Sequence, residues 1–178
     1  MSRPPIAAAL IVGVQELHSR NIADLECVKN DAFAAYALFQ KLGFHATALV
    51  DVGADELRTR LDRVLAGLRA EDFLLVYLIG HGVVPTTDVK QLYFVCRGAD
   101  RVGLPEGQGC VSLSYLVRRS EQVAGLARWF VFDTCVARTS RSAAARLRRC
   151  SAANGRSATR WRRRPRRSSA ASPARSGC

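Results

Sequence analysis

Residues 7–14 form an unbroken apolar run of strand length, bounded by Pro5 before it and Gln15-Glu16 after it, the pattern of a strand buried on both faces. The period then changes. Val28, Phe33, Ala35, Tyr36, Leu38 and Phe39 fall close to helical spacing between Cys27 and Leu42, and Gly43 follows where a helix takes a left-handed cap. Residues 44–50 predict a second short strand. Leu57, Leu61, Val64, Leu65 and Leu68 share one face of a helix predicted over 54–70, with arginines and acids on the other face. Residues 73–79 (FLLVYLI) are the most apolar run and predict the central strand. Residues 91–96 predict a short strand, Ser112 is an N-cap for a helix reaching about Leu126, and residues 129–132 predict the next buried strand.

Strands alternating with helices in this way predict an α/β fold, a three-layer sandwich around a mostly parallel sheet with right-handed crossovers. The charge distribution sets the limits of that domain. Of the 27 Lys+Arg and 15 Asp+Glu, residues 1–135 hold 14 and 15, whereas residues 136–178 hold 13 Arg and no acid. Those last residues also contain 10 Ala and 8 Ser, with Val136, Leu147 and Trp161 almost the only sizeable apolar side chains. Such a composition cannot bury enough surface to offset backbone entropy. The expectation is one domain over 1–135 and a disordered basic tail over 136–178.

No run approaches the length of a membrane span, and residues 6–14 lack the small-residue cleavage site of a signal peptide. Six cysteines (27, 96, 110, 135, 150 and 178) are scattered without a C-x-x-C pair, and only three histidines accompany them, so neither a zinc site nor a disulfide framework is indicated. A reducing, cytoplasmic setting is expected. In parallel sheets chemistry collects at the carboxyl ends of strands, where Gly80-His81-Gly82 follows one apolar run and Asp133-Thr134-Cys135 the other. A thiol becomes a nucleophile when a base makes its thiolate available, and His81 could reach Cys135 if the two strands are neighbours and a short loop brings the ring over. Gly82, lacking a Cβ, would let its N–H approach a reacting carbonyl and hold an oxyanion together with the N–H of Cys135. Against this stands the ordinary reading of a lone Cys as a small buried hydrophobe and of a lone loop His as a structural hydrogen-bonder.

The 54-residue interval between His81 and Cys135, the opening strand ALIVGV, the stretch Leu25-Glu26-Cys27-Val28-Lys29-Asn30-Asp31-Ala32, Leu42-Gly43-Phe44, Asp72 leading into FLLVYLIGHG, and Val131-Phe132-Asp133-Thr134-Cys135 together resemble a caspase-like peptidase of the metacaspase type over residues 6–135. The resemblance implies a cysteine endopeptidase with Cys135 as nucleophile, His81 as general base and then acid, and the Gly82 and Cys135 amides as oxyanion hole. It also places Asp31 and Asp133 in the pocket for the residue before the scissile bond, where two carboxylates would favour Arg or Lys over Asp. Without the resemblance, Asp31 reads as a helix-start acid and Asp133 as a turn residue.

The chain departs from that family after Cys135. Where the family continues with further helices and strands, this chain gives Val136-Ala137-Arg138-Thr139-Ser140 and the Arg/Ala/Ser segment. The expectation is a fold incomplete at its C-terminal side, with an open edge and a poorly covered face on the Cys135 strand, and a truncated or frame-shifted product. The nucleotide sequence tests this: with no further strand and helix patterns in another frame downstream of the Cys135 codon, the idea fails. Some metacaspases depend on calcium, but Asp88, Asp100, Glu106 and Glu121 are too dispersed to predict a site, and no cofactor or metal is expected. Peptide or protein substrates are the expected partners. Two other functions remain open: an inactive caspase-like scaffold, and nucleic-acid binding through Arg160 to Arg167, with six Arg around Trp161, for which the plainer reading is non-specific attraction to polyanions.

Overall fold

The computed structural model describes residues 3–19, 22–85, 90–99 and 109–138. The expected disorder of the basic tail beyond 138, the Arg160–Arg167 reading and the acids Asp88, Asp100 and Glu106 lie outside those residues. Strands β1 (Ala7–Gly13), β2 (His45–Val50), β3 (Phe73–Val84) and β6 (Ala127–Arg138) pair in parallel in the order β2-β1-β3-β6. The short strands β4 (Tyr93–Val95) and β5 (Cys110–Ser112) continue antiparallel from the carboxyl end of β3, where Gly82 and Val83 pair with Phe94 and Tyr93. β1 leaves β3 at the Gly13–Ile79 pair, and β4 takes over further along.

Helices cover both faces, as the alternation of elements predicts. α1 (Val28–Lys41) packs on one face through Val28, Ala32 and Ala35, against Ala9, Ile11, Leu75 and Ile79. α2 (Ala54–Ala66) and α3 (Leu113–Ser120) cover the other through Leu57, Leu61, Leu65 and Leu116, against Leu10, Val12, Leu74, Val76 and Leu78. The contact face of α1 differs from the expected one: Phe33 and Leu38 are exposed and small alanines point inward. The reason is close approach, since a Cβ on Gly13 would come within 2.9 Å of the Ala32 methyl. Only small side chains fit between helix and sheet there.

Gly43 adopts φ 85 after α1, as predicted. α2 ends at Ala66 rather than near Ala70, because its last turn is taken up by a clamp. The Asp72 carboxylate, with no accessible surface, accepts from both Arg3 guanidinium nitrogens at 2.9 and 2.5 Å and from the N–H groups of Ile6 and Arg69 at 2.8 Å, while Arg3 also donates to the Gly67 carbonyl. α3 is likewise shorter than predicted: the Ser112 hydroxyl accepts from the Tyr115 N–H as the expected N-cap, but the helix stops at Ser120, whose hydroxyl turns back to the Val117 carbonyl. No helix among the described residues is long and apolar enough to cross a membrane.

Two expectations about the later strands are corrected. β3 does not end at Ile79 before a Gly-His-Gly loop; it runs on to Val84, because β6 pairs with it over twelve successive residues and β4 joins its other edge. β6 begins at Ala127, continues three residues beyond Cys135, and is not buried on both faces, with Trp129 67% exposed and Val131 42% exposed. Among the described residues its outer edge has no partner strand.

Candidate active site

The register of β3 against β6 sets His81 directly opposite Cys135. Residues opposite one another in a parallel pair project from the same face, at a strand spacing of about 4.8 Å, so strand pairing itself sets the two residues side by side without the predicted loop. The face is the one α1 covers, shared with Phe73, Leu75, Tyr77 and Ile79. One residue further, Gly82 lies between Phe94 of β4 and Val136 of β6, and a Cβ there would meet the Thr134 hydroxyl at 2.7 Å. The glycine is demanded by cross-strand packing, and an oxyanion contact from its amide competes with strand pairing on both sides.

The imidazole of His81 has no accessible surface. Its Nε2–H donates to the Ala23 carbonyl at 2.9 Å, and the other nitrogen, Nδ1, is buried with no hydrogen-bond partner among the described residues. The pairing fixes the tautomer, leaving a bare lone pair on Nδ1. Ala23 is held by the segment crossing the carboxyl end of β1. There Asp51 accepts from the N–H groups of Gln15 and Glu16 at 2.7 and 2.8 Å, Lys29 Nζ bridges Asp51 and Glu16 at 3.0 and 2.6 Å, and Asp24 accepts from the Leu17 N–H. Sequence reading found neither Ala23 nor this anchor, since a backbone acceptor leaves no side-chain signature.

Burial pushes the His81 pKa below its usual value, against the opposing influences of the Ala23 carbonyl and the Asp24 charge. The ring is therefore neutral at pH 7, the form a general base requires. The linkage sign follows: below about pH 6.5 the unfolded chain takes up a proton that the folded chain resists, so stability falls with acidification until the folded value is passed. Between pH 8 and 5 the melting temperature of the native chain is expected to fall more steeply than that of a His81→Gln variant. Parallel curves would show that the imidazole titrates as it does in water.

Beside this pair opens a cleft of about 90 Å³ lined by Leu25, Glu26, Val28, Asp31, Ile79, Gly80, Asp133 and Cys135. Asp31 comes from the first turn of α1 and Asp133 from the middle of β6, so Asp133 is a strand residue rather than the turn residue its bare sequence context suggests. Both predicted pocket acids thus share one cleft with the half-buried Cys135, and among the described residues no Lys or Arg lines it. Glu26 and Tyr77 are additions: Glu26 adds a third carboxyl to the lining, and the Tyr77 hydroxyl donates to Asp133 Oδ2 at 3.1 Å. Among the described residues no three His, Cys, Asp or Glu side chains are grouped to hold a metal ion.

A mostly parallel sheet between helices, with a histidine and a cysteine as register partners toward the carboxyl ends of two neighbouring strands, is the framework of an α/β cysteine peptidase. Residues 6–173 match the caspase domain of the C14 peptidases, and the chain belongs to that family. The match continues past β6 into the arginine-rich segment. No curated protein matches the chain significantly.

Proposed function

We propose that the chain is a metacaspase-type cysteine endopeptidase that cleaves after Arg or Lys. The observation that supports this reading most is the His81–Cys135 register beside a cleft whose charged lining residues, among those described, are all acids. In the proposed reaction His81 Nδ1 takes the thiol proton of Cys135 while Nε2–H stays on the Ala23 carbonyl. The thiolate adds to the scissile carbonyl, and the oxyanion is carried by the Cys135 amide, joined by the Gly82 amide only if it gives up strand pairing to do so. His81 then returns the proton to the leaving amine, giving a thioester, and next accepts a proton from the water that hydrolyses it. A reducing, cytoplasmic setting keeps Cys135 in the thiol form this needs.

Asp31 and Asp133 receive the cation of the preceding residue, and a substrate Asp would bring like charge into the same cleft, at a cost of several kcal/mol. Fluorogenic peptides ending in Arg or Lys are therefore expected to be hydrolysed at least about 100-fold more efficiently than one ending in Asp. Asp31→Asn and Asp133→Asn should each narrow that gap. Equal or better cleavage after Asp sinks the specificity reading. The exposed Trp129 and Val131 on β6 favour a second reading, an inactive caspase-like scaffold that presents this face to another protein. A folded sample that turns over none of the peptides would select it.

A further inference from the structure

We propose that Tyr77 is the positioning residue of the acidic cleft, orienting the Asp133 carboxylate so that the site prefers an arginine guanidinium to a lysine ammonium. The inference rests on the reading of the cleft as a pocket for a basic residue and adds to it a device that selects between the two bases.

Asp133 stands on β6, whose outer edge is open among the described residues, and its side chain is exposed. An exposed carboxylate on such a strand rotates about its χ angles and presents no fixed edge. Tyr77 removes that freedom. It lies on β3 opposite Val131, two positions before Ile79, which is opposite Asp133, and its half-buried ring packs in the α1-side core. The hydroxyl donates to Oδ2, which leaves Oδ1 and the second lone pair of Oδ2 free to serve the cleft that Asp133 lines, as a fork held from one side. A planar guanidinium matches such a fork with two parallel N–H···O bonds, whereas an ammonium is a point charge for which the orientation matters little. The phenol remains a donor throughout the neutral range, because burial, the bond to Asp133 and the charges of Asp133 and Asp31 all raise its pKa above 10.

The test measures binding, independently of turnover. Full-length chain carrying Cys135→Ala is titrated calorimetrically with two acyl tripeptide amides identical except for a terminal Arg or Lys. The arginine peptide should bind more tightly. Adding Tyr77→Phe should weaken the arginine peptide about fivefold, the order expected for one hydrogen bond to a charged group, and change the lysine peptide less than twofold. In an Asp133→Asn background the same Tyr77→Phe change should have no further effect on either peptide, a readout that loss of packing alone would not produce. If both peptides bind and the Arg/Lys ratio is unchanged by Tyr77→Phe, the positioning role is overturned while the pocket reading stands. If neither binds to the chain that retains Tyr77, the pocket reading itself is overturned, and this inference goes with it.

Discussion

Hydrolysis of an arginyl peptide by the purified chain is expected to fall at least about a thousandfold when Cys135 is replaced by alanine. The change removes only the sulfur atom from a half-buried position on a strand held by twelve register pairs, so the fold has no reason to change, and circular dichroism and melting should match the native chain. His81→Ala should cost nearly as much, because without the Nδ1 lone pair the thiol stays protonated near neutral pH. The double variant should be no slower than the worse single one, the behaviour of two groups that act in one step. Activity that survives Cys135→Ala would place the nucleophile elsewhere and dismantle the reaction proposed above.

The largest effect on stability is expected at Asp72. The Arg3 guanidinium, opposed by burial and assisted by the Ile6 and Arg69 amides, holds its carboxyl well below the usual carboxylate range. Asp72→Ala strands a guanidinium and two backbone N–H groups at the junction where the N-terminal segment, the end of α2 and the start of β3 meet. A loss of about 10 °C or more in melting temperature at pH 7 is expected. Because the folded pKa is depressed, the contribution is fully present above about pH 4 and is lost as pH falls toward the folded value, so the native chain should converge on the variant in acid. A shift of under about 2 °C at pH 7 would mean that the clamp is decorative.

The larger elements were legible because their periods are unmistakable: the apolar runs at 7–14 and 73–79 are strands, the stripe from Leu57 to Leu65 is a helix face, and Gly43 ends α1 as its position suggests. Elements decided by partners were not. Gly80-His81-Gly82 reads locally as a turn, and only twelve-residue pairing with β6 makes it strand. Cys110–Ser112 is too short to signal a strand, and Trp129 looks like core although it meets the ring of Phe73 edge-on and otherwise stays largely exposed. The same division holds at the cleft. His81 and Cys135 stood out by their place after apolar runs and Asp31 and Asp133 only through the family resemblance, while the Ala23 carbonyl and the Tyr77 hydroxyl gain meaning only from what lies across from them.

The alignment of His81 with Cys135 also ties the proposed reactivity to the progress of the chain's own folding. The two residues are 54 positions apart, on strands whose union closes a long loop, and the second strand is the outermost of the parallel set. A slip of one residue in that pairing would turn the sulfur to the opposite face of the sheet. On the proposed reading, a partly assembled chain carries a thiol and an imidazole that have not met, and is harmless to its neighbours. The sheet's final closure would then work as a safety catch on the proposed nucleophile, released only in a molecule that has reached its finished form.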